Sequence, residues 1–141
     1  MNLRNVLKRH GKRTAAHTVE FAFVFPVFVI FIFGLVEIGR GMMGSTLITN
    51  AARAGCRTGT LPGMANSNVT AAVDNLLQNQ GITGYTTTVS LNGSTSTDVS
   101  TGQTDDTVLV SVSVSASNLS WVPGIGYLVG TISSSFSMPH E

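Results

Sequence analysis

The longest run of apolar residues extends from Phe21 to Val36 and contains no charged side chain. Glu20 precedes this run and Glu37 follows it. As an α-helix the run spans roughly 24 Å, which is less than the ~30 Å hydrocarbon thickness of a bilayer. The pattern therefore predicts one membrane-spanning helix that takes further apolar residues, such as Ile38, from its flanks.

Beyond the apolar run, the pattern changes to that of an amphipathic helix. Apolar and small residues recur every three or four positions, as on one buried helix face; they are Met43, Leu47, Ile48, Ala51, Ala52 and Gly55. A cluster of glycine and proline directly after Thr58 indicates where the helix ends. The sequence predicts one long helix over residues 16–58, with Ala51, Gly55 and Gly59 as a close-packing stripe on its outer half.

Two residues inside the apolar run are expected to shape the membrane helix. Pro26 has no backbone N–H, so a local bend or a melted turn is predicted there. Gly34 has no side chain and is a candidate position for close approach of a neighbouring helix.

Residues 64–141 are predicted to form a small α+β domain. Asn66 or Ser67 is the candidate N-cap of a short helix that ends at Gly81. Alternation of apolar and polar residues then predicts three strands; they are Tyr85–Leu91, Thr107–Ala116 and Thr131–Met138. We expect the short helix to pack on a roughly three-stranded antiparallel sheet.

Two segments between the predicted strands have the composition of loops. Residues 92–106 are rich in Ser, Thr, Gly and Asp, which predicts an exposed, mobile tip. The aspartates of this tip do not have the spacing of an EF-hand calcium loop. The segment Trp121–Gly130 is apolar but interrupted by Pro and Gly, and it either covers the core or forms an exposed patch for a partner protein.

Positive charge is concentrated at the N-terminus. Five of the eight Lys and Arg residues lie within residues 1–15, and none follows Arg57. Positive charge beside a membrane helix favours the cytoplasmic side, so residues 1–15 are predicted to be a loosely structured cytoplasmic leader. A cleaved secretory signal fits less well, because the run is long and no small-residue cleavage site follows it.

The sequence argues against catalysis and against nucleic-acid binding. The region after Arg57 lacks the cationic side chains that contact phosphates. The spacing of the His, Cys, Ser and acidic residues matches no activated nucleophile, metal centre or phosphate-binding loop. We therefore expect no catalytic residue, metal, cofactor or small-molecule substrate. The single cysteine, Cys56, excludes an intrachain disulfide; burial on a helix face is favoured over an intermolecular bridge.

Several motifs at matching spacing resemble the TadE-like family, the minor pilins or pseudopilins of the tight-adherence (Flp, type IVb) pilus system. The resemblance extends over about residues 11–60 and rests on VEFA at Val19–Ala22, Pro26, FG-LVE-GR at Phe33–Arg40 and NAARAG at Asn50–Gly55. It implies a pilin-like fold, in which a long N-terminal helix precedes a small α+β domain.

The resemblance also implies processing by a prepilin peptidase. The enzyme would cut between Ala15 and Ala16, which places Glu20 at the fifth mature position; Glu20 and Phe21 would take part in recognition and assembly. Ala15 stands where the family usually has Gly. The role implied for Glu20 is to neutralise the new α-amino group of a neighbouring subunit as helices bundle.

Two functional hypotheses follow. The first is a minor pilin or pseudopilin-like subunit in the bacterial inner membrane, whose partners are the lipid bilayer, the prepilin peptidase, other pilin-like subunits and assembly-platform proteins. The alternative is a single-pass, membrane-anchored extracytoplasmic binding or adhesion module without a pilus role. In both, the N-terminus is cytoplasmic and the α+β domain lies outside the cytoplasm.

Overall fold

The computed structural model describes the backbone of residues 3–120 and 130–141 and the side chains of residues 17–120 and 130–141. The elements in chain order are α1 (Leu3–Gly59), α2 (Asn66–Asn79), β1 (Tyr85–Leu91), β2 (Thr107–Ser115), α3 (Ala116–Leu119) and β3 (Thr131–Pro139). A short 3-10 helix, Val99–Thr101, lies between β1 and β2. These elements confirm the predicted α+β class, with a long apolar N-terminal helix, a shorter helix and a three-stranded antiparallel sheet.

The chain divides into two compact units, residues 1–36 and residues 37–141. The N-terminal part of α1 forms the first unit from Leu3 onward. The prediction of a loosely structured leader is therefore wrong for residues 3–15. Their Leu, Lys and Arg side chains favour a helix and they contain no proline, so the helix extends through them.

Pro26 lies inside α1 without interrupting it. A proline removes one backbone hydrogen bond of the helix, but the residues around it keep their helical conformation here. The melted turn predicted at this position is therefore absent from the structure.

The sheet of the second unit has the order β1-β2-β3, and both pairs of neighbours are antiparallel. The central strand β2 pairs Val110 with Val89 on β1 and with Phe136 on β3. The apolar residues of β2 on one face are fully or almost fully buried; they are Val108, Val110, Val112 and Val114. The alternation of valine with serine that predicted this strand therefore corresponds to an inner and an outer face of the sheet.

Both helices contribute to the core on the inner face of the sheet. The buried residues of α1 include Ile48, Ala51, Ala52 and Cys56, and those of α2 are Val69, Val73 and Leu77. Fully burying a Val, Leu or Ile side chain contributes about 1.5–3 kcal/mol. The periodicity of α1 beyond the apolar run predicted its buried face correctly from Leu47 onward, but Met43, which the same pattern placed on that face, is 69% exposed. Residues 37–59 belong to the same unit as the sheet.

The remaining differences from the sequence prediction are local. The helix α2 begins at Asn66, and its N-cap is Ala65 rather than Asn66 or Ser67. The short helix α3 was not predicted. The prediction that Trp121–Gly130 covers the core or forms a patch falls on residues 121–129, which lie outside the described residues.

Candidate functional site

Among the described side chains, residues 17–120 and 130–141, no group of three or more His, Cys, Asp or Glu residues could hold a metal ion. Candidate functional residues are instead found along α1 and at the points where the domain packs against it.

The apolar run in the first unit presents its side chains outward. Phe23 is 75% exposed, Ile30 is 71% exposed and Val27 is 67% exposed. Such a surface is unfavourable in water, because each large apolar side chain forgoes the free energy of burial. The segment His17–Gly59 contains a helix that is long and apolar enough to cross a membrane. This combination indicates that α1 anchors the chain in a membrane.

Glu20 and Phe21 lie at the start of the apolar run. The Glu20 Oε2 atom is 3.5 Å from Nδ1 of His17, one helical turn earlier, and both side chains are more than three-quarters exposed. The Phe21 ring packs on the Phe25 ring with 5.5 Å between the centroids. The carboxylate of Glu20 therefore has a local neighbour on its own helix and remains accessible to a group from outside.

Ala15, Ala16 and Gly34 are the other candidate positions in the first unit. Ala15 and Ala16 lie within α1. A Cβ added at Gly34 would have no atom within 4 Å outside its own helix neighbourhood. Glycine at this position is therefore not required by packing within the described part of the chain.

The stripe formed by Ala51, Gly55 and Gly59 packs within the domain. Ala51 is fully buried. A Cβ at Gly55 would stand 2.7 Å from Val73 Cγ2, and a Cβ at Gly59 would stand 3.0 Å from Val69 Cγ2. The absence of side chains at the two glycines lets α1 approach α2 closely, so the stripe contacts the protein's own second helix.

The first turns of α1 in the second unit are held against α3. The Arg40 guanidinium donates to the Leu119 carbonyl oxygen from Nε at 3.3 Å and from Nη2 at 3.2 Å. A Cβ at Gly44 would lie 2.9 Å from Leu119 Cδ1. Sequence reasoning missed this contact, because its partners are 79 residues apart and α3 was not predicted.

Cys56 is fully buried on the core face of α1. Its thiol donates to the Val108 carbonyl oxygen with an Sγ to O distance of 3.4 Å. This location agrees with the interpretation of Cys56 as a packing residue, because a disulfide partner on another chain would have to enter the core.

The segment 92–106 is mostly exposed, as predicted, but it is anchored to the domain at several points. Val99 is fully buried in the core. The Asp98 carboxylate accepts from Ser100 N at 2.9 Å and from Asn66 N at 3.3 Å. In return, Val99 N donates to the Asn66 side-chain oxygen at 3.1 Å. Asp98 therefore links this segment to the first turn of α2, which Ala65 cannot cap with its own side chain.

Asp106 has a comparable role at the other end of the segment. Its carboxylate accepts from Gln103 N at 2.8 Å and from the Asn92 amide at 2.7 Å. The backbone hydrogen bond from Ser100 is the main cause that lowers the pKa of Asp98, and the one from Gln103 is the main cause that lowers the pKa of Asp106. Both acids thus stabilise turns of their own chain, which argues against a ligand-binding role for them.

Within the described residues, the fold is that of an α+β protein with one exposed helix, near the N-terminus, that is long and apolar enough to cross a membrane. Residues 16–57 match the family model described as TadE-like protein, which confirms the resemblance predicted from the sequence. Comparison with curated proteins gave no match, and comparison with solved structures gave none either. The match covers the apolar run and the core-facing part of α1, so it includes every candidate position on this helix except Ala15 and Gly59.

Proposed function

We propose that the protein is a minor pilin or pseudopilin-like subunit that takes part in the assembly of a tight-adherence (type IVb) pilus. The match of residues 16–57 to the TadE-like family carries this proposal. In it, α1 anchors the chain in the bacterial inner membrane, residues 1–15 face the cytoplasm and the α+β domain lies outside the cytoplasm. The protein acts through contacts with other subunits and has no enzymatic activity of its own.

Processing is the first step of this proposal. A prepilin peptidase cuts between Ala15 and Ala16 and uses Glu20 and Phe21 for recognition. Two observations support this position: the family match begins at Ala16, and the Glu20 side chain is 76% exposed on α1.

Intact mass analysis of the purified membrane protein tests the processing step. In cells with an active prepilin peptidase, the chain should begin at Ala16, and in a strain that lacks the peptidase it should begin at Met1. The variant Ala15→Gly, which restores the usual family residue, should be cut at the same bond. A chain that begins at Met1 in both strains would contradict the proposal.

Assembly is the second step. A charge near lipid is costly; an ionised side chain at the centre of a bilayer costs roughly 2.5–3.5 kcal/mol on insertion scales, and less near an edge. The Glu20 carboxylate of one subunit offsets this cost by pairing with the α-amino group of Ala16 on a neighbouring subunit. The partners are other pilin-like subunits and the assembly-platform proteins of the pilus system.

The alternative function, an anchored binding or adhesion module, would place recognition in residues 92–106. The internal hydrogen bonds of Asp98 and Asp106 provide little support for it. Replacing residues 16–36 by an unrelated membrane anchor separates the two functions. Loss of pilus assembly with a correctly folded domain supports the subunit proposal, whereas full activity of the chimera supports the module.

A further inference from the structure

An exposed apolar surface lies at the start of the second unit. Ile38 is 63% exposed, and Met42 and Met43 are each 69% exposed; these three residues are called the methionine rim below. Next to the rim is an open groove of about 440 Å³, lined by Met42, Met43, Thr46, Leu47 and Gln80. Exposed large apolar side chains that lie close together indicate an interaction surface, so we expect the methionine rim to contact a partner.

The distance of the rim from the apolar run limits what this partner can be. Met42 follows Val36 by six residues, which is about 9 Å along an α-helix. The headgroup layer on each side of a bilayer is about 5–8 Å thick, beyond a hydrocarbon core of about 30 Å. Since the run Phe21–Val36 spans only roughly 24 Å, centring it in the core places Ile38 near the edge of the hydrocarbon and the methionines among the headgroups.

The charge of the rim suits a phospholipid surface. Residues 38–47 contain one charged side chain, Arg40, and it is cationic. Its hydrogen bonds to Leu119 hold the guanidinium at a cavity that Met43, but neither Ile38 nor Met42, also lines. A guanidinium has five N–H donors. Two of them donate to the Leu119 carbonyl oxygen, and the other three remain for a phosphate group. This level of the helix therefore carries both groups that suit a lipid interface, apolar side chains for acyl chains and a cation for phosphate.

We propose that the methionine rim lies in the outer headgroup layer of the membrane that α1 crosses, so that phospholipid is its partner. This inference rests on the proposed membrane insertion of α1. The flexible, unbranched methionines adapt to disordered acyl chains, and Arg40 contacts the phosphates. The bilayer thereby covers the surface that the domain leaves exposed.

Site-specific fluorescence on the full chain in phospholipid vesicles tests this placement. In a Cys56→Ala background, an environment-sensitive label is attached to a single cysteine at Val27, at Met43 or at Thr95. Val27 reports on insertion of the apolar run. Thr95 is the aqueous control, because it is exposed and its segment is anchored far from Met43. The anchor of this segment is Val99, which lies beside Gly59: its Cγ2 atom would be 3.9 Å from a Cβ at that glycine. Gly59 lies sixteen residues, or about 24 Å of helix, beyond Met43.

The proposal predicts a different response at each position. The Met43 label should show blue-shifted emission, loss of quenching by aqueous iodide and quenching by lipids that carry a nitroxide near the headgroup. The Val27 label should respond to nitroxides deep in the acyl chains, and the Thr95 label should respond to iodide.

Three outcomes would overturn the proposal. If the Val27 label is in lipid while the Met43 label responds to iodide like the Thr95 label, the rim is aqueous although the anchoring stands. If the Met43 label is protected from iodide without lipid quenching, and protection grows with the protein-to-lipid ratio, a second copy of the chain covers the rim. If the Val27 label is itself aqueous, both the membrane anchor and the rim proposal fail.

Discussion

Gly55 on α1 and Val73 on α2 are packed so closely that a Cβ at position 55 would stand 2.7 Å from Val73 Cγ2. The same Cβ would stand 3.3 Å from Val110 Cγ1 on the central strand. Both helices and the sheet therefore meet at a position where a side chain has no room. The core of the second unit depends on this contact.

Replacing Gly55 by Ala should lower the free energy of unfolding. Forcing an extra methyl into a packed core costs about 1–3 kcal/mol, which outweighs the ~1 kcal/mol that alanine gains over glycine within a helix. Denaturant titration of the detergent-solubilised full chain measures the difference. Gly41→Ala is the matched control, because a Cβ there meets nothing within 4 Å and should leave stability unchanged or slightly raised. Equal stability of the two variants would contradict the packing argument.

Asp98→Ala should loosen the first turn of α2. The substitution removes the acceptor for Asn66 N and Ser100 N, and Ala65 has no side-chain oxygen to replace it. Hydrogen exchange followed by mass spectrometry should show faster exchange at the start of α2 and around Val99, with little change in the sheet. Thr95→Ala, at an exposed position in the same segment, should exchange like the unmodified protein. Unchanged exchange in Asp98→Ala would show that the link does not stabilise the helix.

Acid should weaken the second unit through the same two carboxylates. The pKa values of Asp98 and Asp106 are lowered in the folded protein from an ordinary value of 3.8. The unfolded chain therefore binds protons more readily, so the stabilising contribution is complete only well above pH 3.8, from about pH 5, and is lost as the pH falls through 3.8 and then through the lower folded-state pKa values. Denaturant midpoints should fall between about pH 5 and pH 2. The double variant Asp98→Asn, Asp106→Asn should show a shallower fall, and an identical pH profile would contradict this account.

The sequence predicted the features of the fold that repeat at short spacing. Alternating valines defined β2, and the spacing of Ile48, Ala51 and Ala52 defined the buried face of α1. Long-range pairs were not predictable in this way. Asp98 and Asn66 are 32 residues apart, and no local pattern shows that a loop carboxylate supplies the acceptor that Ala65 lacks.

Gly55 shows a further limit of sequence reasoning. Its place in a small-residue stripe correctly indicated close helix packing, because glycine allows two backbones to approach. The pattern did not identify the partner, which is α2 of the same domain. At Gly34, in contrast, an added Cβ would have no atom within 4 Å outside its own helix neighbourhood, so the predicted role of Gly34 in packing against another helix stays a prediction.

Cys56 should be inert to alkylation while the domain is folded. Its side chain is fully buried and its thiol is hydrogen-bonded to Val108 O, so a reagent reaches it only after the core opens. Mass spectrometry after iodoacetamide treatment should give a labelling rate that follows unfolding, and oxidation of the folded protein should give no disulfide-linked dimer. A cysteine introduced at Thr95 in a Cys56→Ala background should react rapidly. Fast labelling or dimer formation at Cys56 under native conditions would show that the core is open.

Glu20→Gln should block pilus assembly without preventing membrane insertion. The amide keeps the size of the side chain but removes the charge that would neutralise the α-amino group of a neighbouring subunit, and loss of a charge does not hinder insertion into lipid. Piliation, co-purification with other pilin-like subunits, membrane fractionation and N-terminal mass are measured on the same cells. His17→Ala is the matched control: it removes the local neighbour at 3.5 Å but leaves the carboxylate, so assembly should continue. Normal piliation in Glu20→Gln would remove the proposed role of this residue. Loss of assembly in both variants would show that assembly depends on the pair of His17 and Glu20 and not on the Glu20 carboxylate alone.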